Sequence, residues 1–164
     1  MLAGCSALYT ASPRYGSARR ARPGRKPVVV PPRPRHPLEA RKGRLPRPVP
    51  GKVVAGFGYR VDPKYNTRTK NQGIDIACKL NSPVIAIGAG LVSYADDFIG
   101  YGPMIILEHG GGFYSIYARL RELKVGVGAT VKEGEVIALS DTLLHFEFRV
   151  GGKSVDPEPW LSPR

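Results

Sequence analysis

Histidine and cysteine are scarce in this chain, and that scarcity bounds its chemistry before any motif is considered. Three histidines (His36, His109, His145) and two cysteines (Cys5, Cys78) occur among 164 residues. Cys-x-x-Cys spacing is absent, and with it zinc-knuckle organisation. Long apolar runs are missing too, so no segment approaches the length of a membrane-spanning helix. Acidic residues are nearly missing from the first 50 positions, where Glu39 stands alone against 12 Lys+Arg. That stretch carries +11 of the chain's +12, and the remaining 114 residues are almost neutral. The sequence pI of about 10.0 therefore belongs to the N-terminal stretch.

That stretch also holds 10 of the 16 prolines and shows no amphipathic period. It cannot bury enough apolar surface to offset the entropy of ordering, which predicts a disordered, extended tether over residues 1–50. Nucleic acid would suit its charge if the chain is not exported, but no aromatic-rich basic motif or zinc-knuckle spacing supports that option, and no nucleic-acid partner is expected. Lipid headgroups or an anionic wall polymer suit its charge if the chain is exported. A solvated spacer is the plain alternative.

Residues 51–164 read as one all-β domain. Strands are predicted at Lys52 to Gly58, Ile74 to Ala77, Val84 to Ile87, Gly90 to Asp96, Met104 to His109, Gly112 to Arg119, Val136 to Ser140 and Leu144 to Val150. Glycines and Gly102-Pro103 punctuate them, and Leu120 to Leu123 reads as one helical turn. Arg60 to Lys70 is a variable loop, Gly100-Tyr101-Gly102 a tight turn with an aromatic lid, and Trp160 a buried pin for the C-terminus. Cys78 reads as a buried free thiol.

One strand carries a histidine where chemistry is plausible. In Leu143-Leu-His-Phe-Glu-Phe-Arg149, alternation puts His145 on a face with Leu143, Glu147 and Arg149, opposite Leu144, Phe146 and Phe148. A structural histidine is the bland reading. Upstream, Asn71-Gln-Gly-Ile-Asp75 places a carboxylate on a short β-branched strand.

Together with Phe57-Gly58, Ser82-Pro83-Val84, Glu108-His109-Gly110, Tyr117, Val131-Lys-Glu-Gly134 and Asp156-Pro157, these segments resemble the LytM/lysostaphin family of zinc endopeptidases, which cut peptide cross-links in bacterial cell walls. The resemblance implies that family's compact antiparallel fold, of the duplicated hybrid motif kind. It also implies five functional positions, which fall on Asn71, Asp75, Arg119, Leu143 and His145. Asp75 and His145 match the family's zinc ligands. Asn71 stands where the third ligand is a histidine, and Arg119 and Leu143 stand where two further histidines act on the catalytic water and transition state. A catalytic zinc usually takes three protein ligands plus a water. A neutral amide is a poor third, Leu143 transfers no proton, and Arg119 places a fixed charge where a general base belongs.

The pattern therefore resembles the degenerate LytM factors of the EnvC/NlpD kind, murein hydrolase activators that keep the fold without hydrolysis. It implies no bound cofactor and no catalytic residue. An N-acetylmuramoyl-L-alanine amidase or other wall hydrolase becomes the expected partner, alongside peptidoglycan. The implied docking groove comprises Asn71, Asp75, Tyr101, Tyr117, Arg119 and His145. Two alternatives stay open: a zinc endopeptidase using Asp75, His145 and Asn71, and a peptidoglycan-binding module. Finally, Leu2-Ala3-Gly4-Cys5-Ser6 matches a bacterial lipobox. It predicts a lipidated Cys5, a signal peptide encoded upstream of Met1, and a periplasmic location at the outer membrane, since Ser6 and not Asp follows the cysteine.

Overall fold

The structure, a computed structural model, describes residues 36–61 and 66–163. Cys5 and most of the basic stretch lie outside the described residues.

A single long strand organises the sheet. The strands are β1 (Lys52–Ala55), β2 (Gly58–Val61), β3 (Arg68–Asn71), β4 (Ile74–Ala77), β5 (Pro83–Ile85), β6 (Gly90–Phe98), β7 (Gly102–Gly110), β8 (Phe113–Leu123), β9 (Thr130–Val131), β10 (Val136–Val150) and β11 (Lys153–Val155). β10, 15 residues long, pairs with β4, β5, β8 and β11. The nine-stranded antiparallel sheet runs β1-β4-β10-β8-β7-β6-β9, with β5 and β11 attached to β10, while β2 and β3 form a separate hairpin. Leu144, Phe146 and Phe148 are wholly buried, so the alternation in β10 was a true guide to its inner face.

Three sequence expectations change. Val136–Ser140 and Leu144–Val150 are one strand, joined through an irregularity in the β10–β8 ladder between Ser140 and His145. Leu120–Leu123 is strand and not a helical turn, because Leu123 and Glu122 pair with Ala138 and Leu139. The ladder satisfies their backbone groups, and short-range helical preference cannot compete. Both ends of the expected variable loop are strand: β2 pairs antiparallel with β3, and Arg60, Thr69 and Lys70 line the groove.

Packing also begins upstream of Gly51, so the tether does not extend to residue 50. A short helix, α1 (Pro37–Ala40), is capped by His36, whose Nδ1 accepts from the Leu38 N–H at 3.3 Å. Leu38, Leu45 and Val49 are buried in the main core. Leu45 bridges to Leu161, and the Ser162 N–H donates to the Leu45 carbonyl at 2.8 Å. Trp160 closes this end, 4.8 Å from the Phe148 ring, under the Lys42 ammonium. These three apolar residues join the core although they are too sparse to form a period in sequence.

Gly73 sets how closely β4 approaches β10. A Cβ there would lie 2.2 Å from the Phe146 carbonyl oxygen, which is backbone and cannot yield. Gly73→Ala should therefore cost about 1–3 kcal/mol or more by overpacking. Urea unfolding would measure it, and a variant as stable as wild type would contradict this close approach.

Candidate functional site

The flanking of β10 by β4 and β8 assembles the site. Asp75 stands opposite His145, and His145 opposite Ala118. Cross-strand partners share a face, so the aspartate and histidine meet on the outer side of the sheet. Arg119 follows Ala118 with φ 59°, a left-handed conformation that costs an L-residue about 1–2 kcal/mol. Its N–H donates to the Tyr101 carbonyl at 3.0 Å, tying β8 to the β6–β7 turn and leaving its side chain exposed on the groove wall. The groove encloses about 360 Å³ and is lined by Asn71, Asp75, Tyr101, Arg119 and His145, with Arg60 and Lys70 from the hairpin.

His145 is gripped on both sides. Its Nδ1 lies 2.6 Å from Asp75 Oδ1 and its Nε2 3.2 Å from Glu147 Oε1. Ionised carboxylates only accept, so the ring serves both by donating from both nitrogens, as an imidazolium. Glu147 is wholly buried and also accepts from the Tyr101 hydroxyl at 3.1 Å and from Arg149 Nε and Nη2 at 3.1 and 2.8 Å. A buried charge persists only when paired and hydrogen-bonded, and four donor groups meet that need. Charges alternate along Asp75, His145, Glu147 and Arg149 and cancel. The sequence placed Glu147 beside His145 but gave it no role; its parity in the alternation was the available signal.

Protonation follows this geometry. The hydrogen bond from His145 holds the Asp75 carboxyl below its ordinary range against the opposing effect of burial, with help from Arg119 and Arg60. Burial alone would push His145 down, but its two carboxylates prevail and raise it. Burial would push Glu147 up, yet His145 and Arg149 bring it below the usual value. Burial and the Glu147 charge together raise the Tyr101 phenol.

Other expected positions separate. Tyr117 does not line the groove: it pairs with Phe146, so it shares the inward parity, and it is wholly buried. Its hydroxyl accepts from the Ile87 N–H at 3.0 Å, and burial pushes its pKa up to about 12. Leu143 and Arg119 border an adjoining hollow. The Asn71 amide is engaged at both ends, donating to the Gly56 carbonyl and accepting from the Gly73 N–H, each at 3.1 Å. Cys78 is a half-buried free thiol that donates to the Asp141 carbonyl at 3.2 Å. His109 supports the core, with Nδ1 on the Ala89 carbonyl and Nε2 on Ser115 Oγ.

This donor set does not fit a zinc ion. Asp75 and His145 Nδ1 supply two donors at most, the Asn71 amide that would be the third is held by backbone, and among the described residues no three His, Cys, Asp or Glu side chains are grouped to hold a metal.

A β-sheet groove with Asp and His facing one another across adjacent strands has the architecture of a wall-peptidase domain. The chain belongs to peptidase family M23, whose family model matches residues 69–157. It is 42% identical over 101 residues to a Pseudomonas aeruginosa protein named Lipoprotein NlpD/LppB homolog, covering 57% of this chain and 34% of that protein. It is 38% identical over 124 residues to the Escherichia coli Murein hydrolase activator NlpD, covering 71% and 31%. Among solved structures, a zinc containing peptidase from Vibrio cholerae superposes with a TM-score of 0.66 at 28% identity, covering 74% of this chain and 41% of that one. The chain spans about a third of the length of the curated relatives it matches.

Two outcomes test the site. A raised histidine pKa stabilises the fold below the unfolded imidazole value and is lost as pH climbs through the folded one. Depressed carboxylates stabilise above their unfolded values and are lost as pH falls through the folded ones. The network should therefore contribute most at about pH 5 to 6.5. Thermal midpoints across pH should show His145→Gln losing most stability in that window; a wild type–variant difference independent of pH would contradict the network. Separately, after dialysis against a weak chelator, elemental analysis should find well below one zinc per chain. One zinc per chain, abolished by both Asp75→Ala and His145→Ala, would overturn the misfit.

Proposed function

We propose that this chain is a non-catalytic M23 factor of the bacterial envelope that switches on a peptidoglycan amidase. The observation that carries the reading is an open, basic groove whose one histidine is tied between two carboxylates. Hydrolysis needs a metal-bound water and groups that move protons. Here Asp75 and His145 neutralise each other, while the Leu143 side chain carries no proton donor or acceptor and the Arg119 guanidinium has no acceptor lone pair to act as a base. Arg60, Lys70 and Arg119 nevertheless keep the wall cationic, which suits a partner segment bearing carboxylates.

Relatives named as murein hydrolase activators and as lipoproteins support the same reading. On it, lipidated Cys5 anchors the chain at the outer membrane facing the periplasm. The Arg/Pro-rich stretch ahead of His36 is then the spacer between anchor and domain, and residues from His36 onward form the working unit. The groove cations would also suit carboxylates of peptidoglycan stem peptides, which keeps wall binding as the competing reading.

Dye release from labelled cell walls tests the choice. The purified protein alone should release none, and at least one amidase in a panel should be stimulated. Arg119→Glu should lower that stimulation while shifting stability by no more than about 0.5 kcal/mol, because the side chain is exposed. Zinc-dependent release by the protein alone would establish a peptidase. No stimulation of any amidase, or equal stimulation by both proteins, would leave wall binding as the function.

A further inference from the structure

Beyond Tyr101 the outer face of the sheet holds a second cavity, of about 190 Å³, with a different character. Tyr94, Phe98, Tyr101, Met104, Ile106 and Ile116 form its walls, and the Glu147–Arg149 pair closes one side. A solvated outer face would alternate polar residues into these positions. Instead β7 is apolar on both faces: Ile105 and Leu107 enter the main core, while Met104 and Ile106 join a separate outer cluster with Ile116. The rim is more unusual still. At the β6–β7 tip Phe98 is 50% exposed and Ile99 is 99% exposed. The Phe98 ring meets Tyr94 at 6.3 Å and Tyr101 at 6.0 Å, and Tyr101 in turn meets His145 at 5.5 Å. A continuous aromatic wall thus runs from the apolar cavity to the charged groove.

An exposed aromatic wall beside a concave apolar pocket is the surface on which protein partners concentrate their binding energy. We infer that this cavity is an anchor pocket for one large apolar side chain of a protein segment whose carboxylate lies across Tyr101 against Arg119. Charge selects that occupant. On the groove side Arg60, Lys70 and Arg119 face Asp75, whose charge His145 already answers. On the far side Asp96 stands opposite Met104 in the β6–β7 register and is exposed, so it repels acidic residues there. The segment is therefore read in one direction, with its acidic end toward Arg119 and a neutral or basic end toward Asp96. Tyr101 sits between the two compartments, and its hydroxyl bond to Glu147 fixes the spacing the segment must match. For its partner class the inference rests on the activator reading, but the pocket itself can be tested without it.

The probe is a random dodecapeptide library displayed on phage and selected against the full chain. Enriched peptides should share a large aliphatic or aromatic residue with Asp or Glu on one side of it. Binding of a synthetic consensus peptide should weaken at least about tenfold in Phe98→Ser/Ile99→Ser, which changes only exposed tip residues, and comparably in Arg119→Glu. No enrichment, a consensus without the apolar residue, or equal affinity for the double variant would overturn the pocket. The same double variant in the amidase assay separates the two ideas. If wild type and variant stimulate an amidase equally, the pocket falls and the activator reading stands. If peptides are selected as described and no amidase responds, the pocket stands and the activator reading falls.

Discussion

Everything at the outer face of this sheet depends on how one buried carboxylate is neutralised. Glu147 has no contact with solvent, and an ionised carboxylate so placed must be paired or it would unfold its surroundings. His145 and Arg149 supply the positive charge and Tyr101 a further donor. The histidine that resembles a metal ligand is thereby recruited as a counter-ion. A divalent cation at Nδ1 would have to break the Asp75 contact, while the Nε2–H could stay on Glu147. The Asp75–His145 pair links β4 to β10 across their register.

This arrangement leaves an open groove beside the ion pairs. Arg119 is held in a left-handed conformation that its side chain does not favour, anchored through its N–H to the Tyr101 carbonyl. Strain of that kind persists where the surrounding structure over-determines it, often at a functional surface. The same turn positions Tyr101, whose ring divides the charged from the apolar compartment.

Much of this was legible in the sequence, and the failures have identifiable causes. Leu144, Phe146 and Phe148 announced an inward face by strict alternation, and Asp75 on a short β-branched strand announced its neighbour. Tyr117 was misplaced because an aromatic beside Arg119 looks like groove lining until the register with Phe146 fixes its parity. The continuity of β10 was hidden by polar Asp141 and Thr142, which interrupt the pattern without ending the ladder. Leu38, Leu45 and Val49 were hidden by their proline- and arginine-rich setting, since isolated apolar residues carry no period. Glu147 was visible as a residue but not as a hub: only burial reveals that its charge must be answered.

His145 is held as a doubly bonded imidazolium between Asp75 and Glu147. Nitrogen-15 NMR of the imidazole rings tests it most directly. Two protonated ring nitrogens are expected on His145 at neutral pH, both in slow exchange and unchanged by stoichiometric zinc. A neutral ring with one unprotonated nitrogen, or loss of a ring N–H signal when zinc is added, would contradict it.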